Sequence, residues 1–138
     1  MSELNTEPFV WPVRVYFEDT DAGGVVYHSR YLNFFERART EMCRARGLSM
    51  TELKREHNLI WVVLEIHARF RQAAKLDDEL LVSAEVTWIK GVRQGFQQQM
   101  TKKEDGALIA TAELSAVMLH ADSLKPARMP AWIKAELD

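Results

Sequence analysis

Apolar side chains occupy every second position from Phe9 through Trp11, Val13 and Val15 to Phe17, with Arg14 and Glu18 among their neighbours. A period of two marks a strand with one buried face. Pro12 within the run predicts an edge position or a bulge, because proline cannot donate to an inner ladder. The period then changes. Tyr31, Phe34, Phe35, Ala38, Met42 and Ala45 recur at three- and four-residue spacing, which predicts a helix over residues 29–46 with one apolar stripe. Glu36, Arg37, Glu41 and Arg44 lie mostly off that stripe. Ser29 is the expected N-cap, and Gly47 stands where a left-handed residue would end the helix. A short helical turn is expected over residues 51–56.

Beyond it the pattern returns to alternation. Ile60, Val62, Leu64, Ile66, Ala68 and Phe70 interleave with Glu65, His67 and Arg69. Leu80, Val82, Ala84 and Val86 repeat the pattern, Val92, Phe96 and Met100 do so more weakly among glutamines, and a last run from Leu108 to Met118 is rich in alanine. Strand, long helix, then four sequential strands describe an α+β layout with an antiparallel sheet. The alanines predict close approach of the helix to the last strand. Trp61 and Val63 are expected on the sheet's second face. That apolar face, together with unpaired strand edges, predicts a homo-oligomer.

Length and composition narrow the function classes. A chain of 138 residues fits one domain, and 47% hydrophobic with 28% charged residues is an ordinary globular mixture. Lys plus Arg number 18 against 20 for Asp plus Glu, which argues against a nucleic-acid partner. The longest apolar run covers residues 59–64, far short of the ~20 residues of a transmembrane helix. The leader MSELNTEPFVW lacks the basic start and apolar stretch of a signal peptide. A single cysteine, Cys43, fits a reducing cytoplasm and reads as inert core. His28, His57, His67 and His120 are scattered without metal-ligand spacing, so no metal is expected. Arg69, Arg71, Lys90 and Arg93 are candidates for meeting phosphates or are simply solvated strand ends.

The chemistry is concentrated in YFEDTDAGGVVYHSRY, residues 16–31, which joins the first strand to the helix. Asp19, Asp21 and His28 gather near a helix N-terminus, where unpaired N–H groups and a partial positive charge can hold a developing oxyanion. A nearby carboxylate can then serve as base or nucleophile. Asp in turns is also common, so composition alone leaves the active-site reading beside a purely structural one.

The longer run EDTDAGGVVYHSRYLNFFERARTE resembles the motif of hotdog-fold thioesterases of the 4-hydroxybenzoyl-CoA thioesterase-like group. The likeness is most specific over residues 16–47 and extends to the end through the strand order. It implies a hotdog fold, a long central helix wrapped by a five-stranded antiparallel sheet, as one domain over residues 1–138. It implies hydrolysis of acyl-CoA thioesters to acid and CoA without a cofactor. Residue by residue, the group's catalytic aspartate falls on Asp21 and its carbonyl-polarising backbone N–H on His28. Tyr27, Gly23 and Gly24 belong to the same substrate-binding loop, and Asp19 reads as structural.

The group's aspartate acts either as nucleophile or as general base, and the imidazole of His28 either orients water or packs. The resemblance also places the site between two subunits of a dimer that assembles into a homotetramer in the cytoplasm. The group's association with envelope maintenance and lipid metabolism supplies an alternative: a module that binds acyl carrier protein, with little turnover.

Overall fold

The computed structural model describes residues 8–137. The lead through residue 7, on which most of the leader expectation falls, lies outside the described residues. The chain forms β1 (Phe9–Arg14), α1 (His28–Ala45), α2 (Met50–His57), β2 (Leu59–Phe70), β3 (Glu79–Lys90), β4 (Arg93–Lys102), β5 (Leu108–His120) and α3 (Ala131–Leu137). The strands make one antiparallel sheet in the order β1-β3-β4-β5-β2. This is the expected α+β hotdog arrangement, with β1 and β2 at the edges. Pro12 lies on edge strand β1 opposite Leu81, where its missing N–H costs no inner ladder bond.

α1 buries Tyr31, Phe34, Phe35, Ala38, Met42 and Cys43 against the sheet. Ala45 of the expected stripe is exposed. The helix starts one residue earlier than expected, and Tyr27, not Ser29, is its N-cap, with no side-chain capping bond. Ser29 is thereby inside the first turn. Gly47 follows the last turn at φ +81°, and the N–H of Leu48 returns to the Cys43 carbonyl at 2.8 Å. That left-handed step is one glycine takes without a Cβ clash. α2 is capped by Ser49, whose hydroxyl accepts from the Glu52 N–H, and is ended by left-handed Asn58.

Three expectations are corrected. Trp61 and Val63 share the helix-facing side, not the second face: they pair with Met118 and Ala116, both buried. A register shift between Val63 and Glu65 then changes the parity, so that Ile66, Ala68 and Phe70 take over that side opposite Leu114, Ala112 and Ala110. One extra residue in a strand reverses the facing of everything after it. The second correction concerns α1, whose backbone comes closest to β1 and β3 rather than to the alanines of β5. Those alanines instead stand opposite β2 residues of varied size, Ala110 opposite Phe70, Ala112 opposite Ala68 and Ala116 opposite Val63. Third, Phe17 does not continue the first strand. It sits in a single 3-10 turn, Phe17–Asp19, and is 82% exposed. Helix α3, behind Pro130, was not legible from periodicity because it is only seven residues long. No helix among the described residues is long and apolar enough to cross a membrane.

Candidate active site

The segment between β1 and α1 folds as a small hairpin. Thr20 pairs with Val26, the Asp21 N–H donates to the Val25 carbonyl at 2.9 Å, and the Tyr27 N–H donates to the Asp19 carbonyl at 2.9 Å. Asp21 opens the tip and its carbonyl accepts from the Gly24 N–H at 3.0 Å. Gly24 stands at φ +81°, a left-handed position that a side chain would strain. At Gly23 a Cβ would lie 3.2 Å from Oδ1 of Asp21, a tight contact for the carboxylate to relieve. The Gly23 N–H reaches that oxygen at 2.8 Å and orients the carboxylate. Among the described residues no donor holds Oδ2, and the side chain is exposed. The return arm of the hairpin runs directly into α1: Asp21, Gly23 and Gly24 stand at the tip, while Tyr27 and His28 stand at the base, where the helix start has no side-chain cap. The first backbone N–H groups of a helix have no intrahelical acceptor, and His28 carries one of them. The imidazole of His28 packs at 4.4 Å, ring to ring, from Tyr27, and both are exposed.

Asp19 has a different environment. It is buried, its Oδ2 accepts from the Tyr16 N–H at 2.8 Å, and Arg30 approaches Oδ1 at 3.9 Å. Both its side chain and its carbonyl are spent on shaping the hairpin.

Two groups essential to this geometry carry no sequence signal of chemistry. Ala74, in the connection from β2 to β3, accepts from the Val26 N–H at 2.8 Å through its carbonyl. Its own N–H donates to the hydroxyl of buried Tyr31 at 3.0 Å. The first anchors the hairpin and the second anchors the opening turn of α1. The Tyr31 ring also packs on Phe70 at 5.2 Å.

A groove of about 560 Å³ lies between α1, α2 and the β2 side of the sheet, walled by Met50, Leu53, Leu59, Trp61, Val63 and Phe96. Glu36, Arg39 and Cys43 of α1 also border it. Burial lowers the Arg39 guanidinium from its usual value, and nearby Glu36 opposes that shift. Burial pushes the Cys43 thiol up to about 11, so it is overwhelmingly protonated near neutral pH and a poor nucleophile. The cationic candidates do not form one cluster. Arg69 pairs with Thr111 and Arg93 with Val117, six residues or about 20 Å apart along β5.

A five-stranded antiparallel sheet over one long helix, entered through a short hairpin, is the architecture of a thioesterase-like protein. Residues 15–137 match the thioesterase-like superfamily, and the chain belongs to it. It is 42% identical over 127 residues to the acyl-CoA thioesterase YbgC of Haemophilus influenzae, covering 92% of each chain. A probable thioesterase from Bartonella henselae has the same fold at a TM-score of 0.85 and 32% identity, over 90% of this chain and 100% of that one. The 1,4-dihydroxy-2-naphthoyl-CoA thioesterase of Synechocystis shares the fold at a TM-score of 0.88 and 23% identity, over 95% and 96% of the two chains.

Proposed function

We propose that this chain, as one catalytic domain over residues 1–138, hydrolyses acyl-CoA thioesters to the free carboxylic acid and CoA. Asp21 acts as general base or nucleophile, and the backbone N–H of His28 polarises the thioester carbonyl. The observation that carries the reading is the Asp21 carboxylate, held by the Gly23 N–H at a hairpin tip whose return arm leads straight into the uncapped start of α1. Gly23 and Gly24 let the backbone approach the thioester, and Tyr27 flanks it. The chemistry suits these few groups. A thiol with a pKa near ~8.5 leaves as thiolate with little help from an acid, so the demanding step is attack on the carbonyl. One positioned carboxylate supplies that attack, and a backbone donor at the oxyanion is worth ~10²–10³ in rate. Release of free thiol from acyl-CoA tests the proposal. Retention on immobilised acyl carrier protein without thiol release would replace it with the binding-module alternative.

His28→Ala keeps the backbone N–H and removes only an exposed imidazole. It is expected to lower thiol release by less than ~10-fold, well below the loss from removing the carboxylate. An equal loss in both variants would assign chemistry to the imidazole itself.

The working form is a homo-oligomer, with a dimer as its unit and a tetramer as the assembly. The support is the β2 edge, which exposes Val62, Val63, Leu64, Ile66 and Phe70 beside unpaired backbone groups. Sedimentation is expected to show no active monomer. An active species of one chain's mass would overturn the assembly.

A further inference from the structure

We propose that the groove between α1, α2 and the β2 side of the sheet binds a free carboxylate with an apolar tail, the carboxylate resting on Arg39 and the tail lying along the apolar wall. Such acids are the class that acyl-CoA hydrolysis releases. The inference rests on the groove alone, however, and requires neither contact with the hairpin nor turnover of a thioester.

The groove's volume of about 560 Å³ is that of a small-ligand pocket, and Met50, Leu53, Leu59, Trp61, Val63 and Phe96 make its wall apolar. One cation interrupts that wall. Nη1 of Arg39 donates to Oε1 of Gln98 at 2.8 Å. Gln98 is itself fixed, because its Nε2 donates to the carbonyls of Phe35 and Ser83. The guanidinium is therefore held in one place. Gln98 pairs with Ala112 and Trp61 with Met118, six residues or about 20 Å apart along β5. The cation stands toward one end of the wall and the indole toward the other, so a tail has room to extend between them.

Most of the guanidinium's donors are unused. Among the described residues, Nε and Nη2 of Arg39 have no protein acceptor and no carboxylate pairs with the group. No buried side-chain nitrogen among those residues lacks a partner, so these N–H groups open outward, onto the groove that Arg39 borders. Burial lowers the guanidinium from its usual value, the mark of a cation with poor solvation. Glu36, exposed one turn earlier on α1, attracts it without pairing. Lys54 adds a second cation at the rim, while the Cys43 thiol stays protonated, so positive charge prevails in the groove.

These features select the occupant. A carboxylate accepts from two guanidinium N–H groups at once, and the partner charge offsets the poor solvation of Arg39. A neutral tail alone would take the remaining water from the cation and return nothing. A cationic amphiphile would meet like charge.

The test is calorimetric binding of decanoate, decanol and decylammonium, each below its micelle concentration, to the assembled wild-type protein. Decanoate is expected to bind about 10-fold or more tighter than decanol, and decylammonium more weakly than either. From hexanoate through octanoate to decanoate the affinity is expected to rise by up to about 4-fold per methylene, as burial of the tail requires. Arg39→Gln keeps a donor for Gln98 and removes the charge, and it is expected to bring decanoate and decanol to within about 3-fold of each other. Arg39→Lys keeps a cation and is expected to retain the preference for decanoate.

Equal affinities for decanoate and decanol in the wild type overturn the proposal, and this comparison stands even where a variant fails to fold. So does an equal loss of both ligands in Arg39→Gln, which would assign Arg39 to the fold alone. An unchanged preference in that variant would place the carboxylate on another cation and also overturn the site. Val63 belongs both to the groove and to the β2 edge proposed for assembly. A wild-type protein that binds none of the carboxylates would therefore overturn the proposal and leave the groove to a second copy of the chain.

Discussion

Asp21→Asn is expected to release thiol from acyl-CoA at least ~10²-fold more slowly than the wild type, because the amide can neither attack a carbonyl nor draw a proton from water. The change leaves the hairpin intact. Asparagine retains an oxygen that can accept from the Gly23 N–H, the bond that orients the side chain at 2.8 Å. Acyl-CoA binding should therefore survive, and circular dichroism and sedimentation should match the wild type. Asp19→Asn is the matched control. It also keeps an acceptor for the Tyr16 N–H and loses only the attraction of Arg30 at 3.9 Å, so its rate should fall far less. Near wild-type turnover by Asp21→Asn with a dead Asp19→Asn would move the role to the other carboxylate. Full activity in both would remove the hairpin from the chemistry.

The largest effect on stability is expected from Gln98→Met, a change that nearly conserves volume and removes only polarity. Gln98 is 1% exposed on β4. Its Oε1 accepts from the Arg39 guanidinium at 2.8 Å, and its Nε2 donates to the Phe35 carbonyl at 2.8 Å and the Ser83 carbonyl at 3.1 Å. One amide thus joins the middle of α1 to two strands. Methionine would leave a largely desolvated guanidinium without that acceptor, a mechanism that costs about 2–4 kcal/mol. Urea denaturation should show a lower midpoint with an unchanged slope. Gln99→Met, one residue along on the exposed side of the strand, should stay within ~0.5 kcal/mol. Equal effects from the two variants would mean that the Gln98 amide contributes nothing specific.

The legible parts of this fold are those where one periodicity runs unbroken. The stripe of Tyr31, Phe34, Phe35, Ala38 and Met42 placed α1 to within a residue of its start, and of the edge or bulge that Pro12 predicted, the edge is what β1 forms. Where a strand changes parity, pattern reading fails for a physical reason. The apolar run from Leu59 through Leu64 has no polar residue to mark its facing, so the shift after Val63 leaves no trace in composition. Gln94 and Gln98 were hidden similarly, since buried and exposed glutamines are the same letter and differ only in the partner across the sheet. Around the proposed reaction centre, the acidic and glycine residues of the hairpin were visible as a motif. The anchoring by Ala74 was not, because backbone groups of a small residue 53 positions beyond Asp21 announce nothing.

That anchor ties the proposed reaction centre to a place with no reactivity of its own. Ala74 is wholly enclosed, and its carbonyl and its N–H, which belong to successive peptide units, hold Val26 of the hairpin and Tyr31 of the helix's opening turn. A bulkier residue there has no free space to occupy. The hairpin that carries Asp21 and the opening turn of α1 thus share one attachment point. A substitution in the connection from β2 to β3 therefore reaches the proposed site without altering any residue proposed to act on the substrate.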